Sequence, residues 1–188
     1  MCLVRSHDPL GLRPARFWRR GQRSGAWARI DPAETEGGRV LLLVRHPLEV
    51  FVRGAGQSLR RFRSYESCLQ FYTAAQGATR MYLRYEDLIS RPETMVMALD
   101  FLQLEPRAGL VAPSAQQIAD RWQEAGRLSR ETYAQRHSSG SRTAGNPFDF
   151  SFHRRRLDPS RAARVWAHLD AVLDDEALAL LAPWRQQD

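Results

Sequence analysis

The sequence contains no lysine. All 28 of its basic residues are arginine, set against 21 acidic residues for a formal charge of +7. Coding bias explains that as readily as function does, but it bears on phosphate binding below. Cysteine is almost as scarce: Cys2 and Cys68 have no paired spacing, which argues against a disulfide framework and a structural zinc site and for a reducing compartment. No metal is expected. Nor is there a long apolar run: nothing approaches the roughly 20 residues a membrane span requires, and the start "MCLVRSHDPL" lacks a signal-peptide core. A cytoplasmic chain with no membrane span is the expectation. Internal repeats and long low-complexity tracts are missing too.

What is present bounds the rest. A chain of 188 residues with 43% hydrophobic content suits one domain, residues 1–188, with a genuine core. Its positive charge favours an anionic partner, whether a nucleotide, a sulfated or phosphorylated compound, nucleic acid or a membrane surface. Arginines interleaved with Phe17, Trp18 and Trp27 between Leu10 and Arg29 fit single-strand nucleic-acid binding by stacking. An arginine-rich surface helix anchored by its tryptophans is the preferred reading, and nucleic acid is not the expected partner.

Local patterning predicts an α/β protein with a parallel sheet flanked by helices. Val40–Val44 is a continuous apolar run of strand length, the signature of a strand covered on both faces. A second strand is predicted over Met81–Tyr85. Pro92 and Glu93 then open an amphipathic helix with Met95, Val96, Leu99 and Leu102 on one face. Asp158 and Pro159 cap and start another, whose stripe comprises Ala162, Val165, Trp166, Leu169, Val172 and Leu173. The Ser-, Gly- and Arg-rich stretch from Ser129 to Phe152 lacks a helical stripe and reads as a long loop.

Three segments carry chemistry. In "VLLLVRHPLEV" the first strand ends on Arg45, ahead of a helix opened by Pro47. Ligands of open parallel sheets sit beyond such strand ends, where helix N-termini point free N–H groups. Arg45 there either grips a phosphate or leaves the core to pair with a surface carboxylate. "LVRSHDP" offers His7, a residue type suited to act as a general base, although lone histidines are mostly structural. "MYLRYEDLISRPETMVMALDFLQLE" ends a strand on Tyr85, followed by Glu86, Asp87 and the Pro92 helix.

In that order the three segments resemble the sulfotransferases that use 3′-phosphoadenosine 5′-phosphosulfate (PAPS), which carry a "THxP"-like step, a strand ending in "RxP" and a "YEDL…P…FLG" segment. The likeness runs from about Arg5 to Glu105 and more loosely to Phe152. It implies a P-loop-like sulfotransferase fold and sulfuryl transfer from PAPS, as nucleotide co-substrate, to a hydroxyl or amine of an unidentified acceptor. It further implies His7 as the base that deprotonates the acceptor, Arg5 as its cationic neighbour, Arg45 on the 3′-phosphate and Tyr85 in the nucleotide pocket.

The departures are specific. Where the family commonly places a phosphate-binding serine, eight residues past the strand-end arginine, Arg53 stands. "DPAETEGG" reads as an insertion, and "GSRTAG" with Arg142 is the nearest match to the basic loop over the 3′-phosphate. No strand and glycine-containing phosphate loop precede "LVRSHDP", and no lysine exists to serve in one. The expectation is therefore the C-terminal part of a sulfotransferase, lacking its first strand and phosphate loop, weak in catalysis and prone to self-association through an exposed sheet edge. The alternative is a non-catalytic, arginine-rich accessory or anion-binding protein.

Overall fold

The computed structural model describes residues 9–10, 29–53, 57–104, 113–135 and 154–186, without the side chains of 129–135 and 156. A 3-10 turn at Pro32–Thr35, capped by Asp31, leads into β1, Arg39–Val44. Then come α1, Pro47–Arg53; α2, Leu59–Ala74; and β2, Thr79–Arg84. They are followed by α3, Tyr85–Ser90; α4, Pro92–Phe101; and α5, Ala115–Gln135. A short 3-10 turn at Arg154–Arg156 precedes α6, Pro159–Val172, and α7, Asp175–Arg185.

β1 and β2 pair in parallel, from Arg39 opposite Thr79 to Val44 opposite Arg84, and form the only sheet among the described residues. The period of two along each strand divides the core. Leu42 and Val44, with Val40 and Tyr82, face a large cluster built with Leu48, Phe51, Phe62, Leu69, Val165, Leu169, Leu181 and Trp184. Leu41, Met81 and Leu83 face a smaller cluster with Leu88, Ala98, Met95 and Trp122. Helices α1, α2, α6 and α7 therefore cover one side of the sheet, and α3, α4 and α5 pack on the other. No described helix is long and apolar enough to cross a membrane.

The two predicted strands are present with shifted ends. β1 begins one residue earlier and β2 two, and Tyr85 is the first residue of α3 rather than the last of β2. Cover on both faces of β1 is incomplete: Leu43 is 45% exposed, because the smaller cluster reaches Leu41 and stops short of it. The capping signals at 158–159 act as read. The Asp158 carboxylate accepts from Ser160 N–H, Pro159 opens α6, and Val165, Trp166, Leu169 and Leu173 are buried. In α4 the most buried residue is Ala98, outside the predicted stripe, with Met95 packed beside it. The predicted loop from Ser129 to Phe152 is corrected at its start. Residues 129–135 are the last turns of α5, continued by the helix already under way, while 136–153 lie outside the described residues, as do 11–28 of the arginine–aromatic segment.

At one position a residue with a side chain adopts a backbone conformation that favours glycine. α4 closes with Leu104 N–H donating to Leu99 C=O at 3.2 Å and Gln103 N–H to Asp100 C=O at 2.9 Å. That closure puts Gln103 in the left-handed region, at φ 50°, which costs a side-chain-bearing residue about 1 to 2 kcal/mol. Glycine adopts it freely. Gln103→Gly is expected to raise stability by about 0.5 to 1 kcal/mol, net of glycine's greater entropy in the unfolded chain, as measured by chemical denaturation with unchanged slope.

Candidate functional site

Because the register ends with Val44 opposite Arg84, the next residues, Arg45 and Tyr85, leave the sheet side by side. The guanidinium carbon of Arg45 lies 4.8 Å from the centre of the Tyr85 ring, within cation–π range. One terminal nitrogen, Nη2, stands 3.8 Å from Glu49 Oε2, too far for a hydrogen bond. Nε is buried and has no hydrogen-bond partner among the described residues. The Arg45 side chain, 15% exposed, thus carries charge and unspent donors at the carboxyl end of the sheet.

The backbone around Arg45 is held from three sides. The Tyr65 hydroxyl, from α2, donates to the Arg45 carbonyl at 2.9 Å. Glu86, from α3, accepts the His46 N–H through Oε1 at 3.2 Å, a contact across 40 residues. His46 itself is buried near the rings of Trp166 and Trp184, and its Nδ1 accepts from Leu48 N–H at 3.2 Å. Through that bond Nδ1 serves as an acceptor for the backbone at the start of α1. His46 N–H and Leu48 N–H are thereby committed to the protein's own groups, and Pro47 has none. Two N–H groups at the start of this short helix are therefore spent internally.

Glu49, in the first turn of α1, is fully buried, with Oε1 accepting from Arg154 N–H at 2.8 Å. The carboxylate that faces Arg45 is thus an interior one, four residues further along the chain in α1, not a surface partner, and it ties the 154–156 turn to α1. Glu86 carries a further constraint, since its Oε2 is buried without a hydrogen-bond partner among the described residues. Asp87 turns the other way and binds Arg84 Nε at 2.6 Å, which raises the Arg84 pKa through that hydrogen bond.

Of the predicted site residues, Arg45 and Tyr85 meet. Arg53 is the last residue of α1, exposed, about 9 Å along the helix axis from Pro47. His7, Arg5 and Arg142 lie outside the described residues. Sequence reasoning missed Tyr65, Glu49 and Arg154 as parts of this site. Only Glu49 had a signal, its position four residues from Arg45 at the spacing of a helical ion pair. Tyr65 and Arg154 act on or through backbone atoms, which leave no pattern in side-chain types.

Desolvation of the Tyr65 hydroxyl, reinforced by Tyr82, Glu86 and Cys68, raises its pKa well above the ordinary 10.0. The unfolded chain gives up this proton from about pH 10 upward while the folded chain holds it, so stability is full below that pH and falls as pH rises past it. Tyr72 and Tyr82 are raised as well and act in the same direction. Tyr65→Phe is expected to cost about 1 kcal/mol at neutral pH, the worth of one hydrogen bond, and to flatten part of the alkaline loss above pH 10. Thermal melts from pH 7 to 11 check both.

No family model, no curated protein and no solved structure matches this chain.

Proposed function

We propose that this chain is a sulfotransferase-like protein that binds PAPS, the nucleotide co-substrate, and serves sulfuryl transfer to a hydroxyl or amine acceptor. The observation that carries the reading is Arg45. It is a mostly buried guanidinium with hydrogen-bond donors unspent among the described residues, set beyond the carboxyl end of a parallel strand and within cation–π range of Tyr85. Such a group binds a phosphate oxygen through strong charge-assisted bonds. The resemblance assigns these two residues to the nucleotide.

Two further features support it. The "RHP" and "YED" segments, the second and third parts of the resemblance, are clasped by the Glu86–His46 bond. Gln103, which stands where the "FLG" segment has glycine, adopts a backbone conformation that glycine takes without strain. Sulfuryl transfer would then draw on His7 to accept the acceptor's proton, on Arg5 beside it, and on Arg53 and Arg142 for further phosphate contact, as the resemblance implies. A phosphate needs those cations, because Arg45 alone is outnumbered by Glu49 and Glu86 at this end of the sheet.

The same charge balance, together with the committed N–H groups of α1, favours a second reading: a non-catalytic anion-binding or accessory protein. The nucleotide separates the two. Calorimetry is expected to show 3′-phosphoadenosine 5′-phosphate binding well ahead of ATP and of single-stranded RNA. Equal affinity for all three supports the accessory reading. Arg45→Ala should weaken 3′-phosphoadenosine 5′-phosphate by about 1.5 to 3 kcal/mol, the range for a hydrogen bond to a charged group. Because that change leaves Glu49 buried without its facing charge, the double variant Arg45→Ala/Glu49→Gln is the control. It should recover thermal stability without recovering affinity, and recovered affinity would remove Arg45 from the site.

A further inference from the structure

α2 and α6 run side by side in the same direction, because the bonds between them advance together along both segments. Arg161 Nη1 donates to Gln57 Oε1, Glu66 meets His168 Nε2 at 2.8 Å, and Gln70 Nε2 donates to the Val172 carbonyl at 2.8 Å. One turn before the Glu66–His168 bond, each helix carries an exposed arginine. Arg63 stands three residues before Glu66, and Arg164 four before His168, spacings that put both on the face of the bonded pair. Arg161, also exposed, lies a further turn back on α6. Three guanidinium groups therefore flank one outer groove.

Their charge is not balanced locally. Arg63 and Arg164 have no hydrogen bond or ion pair among the described residues, and Arg161 is bonded to a neutral amide. Of the nearby carboxylates, Glu66 is buried against His168. Asp158, which also faces Arg161, accepts from the Ser160 N–H and hydroxyl. Arg60 and Arg61, exposed at the start of α2, are engaged by contacts of their own. Like charges on successive helical turns repel and cost stability. A bound anion reverses that cost.

The groove's composition narrows the anion. Phe62 is buried and the Tyr65 hydroxyl is spent on the Arg45 carbonyl, so no exposed ring of α2 offers a stacking platform to unpaired bases. The exposed large hydrophobics, Leu43, Met97, Leu104 and Leu128, all lie off α2 and α6, which leaves nothing here to enter a bilayer. Binding to a nucleic-acid duplex typically neutralises about 6 to 10 phosphates, more than three arginines can. Carboxylates three residues apart on a helix, by contrast, rise about 4.5 Å, the same rise that separates Arg161 from Arg164.

We infer that the outer groove between α2 and α6 docks an acidic helical segment of a protein partner, its carboxylates at three- and four-residue spacing meeting Arg63, Arg161 and Arg164. The surface does not rest on the nucleotide reading. The probe is a fluorescent, end-blocked peptide that repeats Ala-Glu-Ala-Ala-Glu-Ala-Ala, titrated with the full chain at low ionic strength and followed by anisotropy. Saturable binding is expected, weakened by added salt, and several-fold tighter than for a peptide of the same composition with its glutamates clustered at one end. Arg63→Ala/Arg164→Ala should weaken the peptide about tenfold, and Arg63→Glu/Arg164→Glu should abolish binding, both with the thermal transition retained because these side chains are exposed. Arg121→Ala, an exposed arginine of α5 on the other side of the sheet, should change nothing. The assignment is overturned by lack of saturation, by equal affinity for the clustered peptide, by indifference to charge reversal, by an equal loss in Arg121→Ala, or by tighter binding of duplex DNA or phosphatidylserine vesicles.

Discussion

Parallel pairing with a common end point is the constraint from which the candidate site follows. Two parallel strands cannot be joined by a hairpin; the chain must cross over, and here it does so through α1 and α2 before β2 begins. The crossover returns both strands to the same end of the sheet. With Val44 opposite Arg84, the residues that follow are neighbours in space although about 40 positions apart in sequence. A slip of one residue would turn Leu42 and Val44 away from the large cluster and bring a different residue beside Tyr85. The hydrophobic alternation that fixes the core thus also fixes which side chains meet at the strand ends.

Glu49 shows how that end is held together electrostatically. A lone interior carboxylate is costly, and the price falls only when hydrogen bonds and a nearby cation replace water. The Arg154 N–H supplies the first and Arg45, at 3.8 Å, contributes the second. Since Arg45 does not close to hydrogen-bond distance, the guanidinium balances charge without spending its donors. An arginine bound tightly to its carboxylate, as Arg185 is to Asp170 at 2.7 Å, would offer an incoming oxyanion much less. The two arginines differ in this: Arg185 is held in a surface pair, and Arg45 keeps its donors unspent among the described residues.

Legibility in the sequence followed the type of partner each residue has. β1 was readable because five consecutive apolar residues have few alternatives to a buried strand. The start of α6 was readable because Asp158 and Pro159 act on their own helix. α2 was not readable: its buried face includes Glu66, Ser67 and Thr73, which leaves no clean apolar stripe. Each of those polar groups is matched far along the chain, Glu66 with His168 at 2.8 Å, Ser67 with Leu10 N–H at 2.9 Å, and Thr73 with Asp174 at 3.1 Å. Long-range matches satisfy buried polar groups in the folded state but leave no local pattern. The same holds at the site, where Arg45 and Tyr85 stood out at strand ends while Tyr65, which meets a backbone carbonyl, did not.

The choice of arginine over lysine at position 45 has a physical consequence that the lysine-free composition alone does not reveal. A guanidinium is flat, so it can lie over the Tyr85 ring while its N–H groups project in its own plane toward a third partner. An ammonium is a compact, strongly hydrated charge and would have to surrender part of its hydration to make either contact. The contact with the Tyr85 ring at 4.8 Å uses none of the Arg45 hydrogen bonds, and Tyr65, by holding the Arg45 carbonyl, limits where the side chain can start. An oxyanion entering here would meet a side chain already restrained at both its backbone and its ring contact, so less rotamer entropy would remain to be lost on binding.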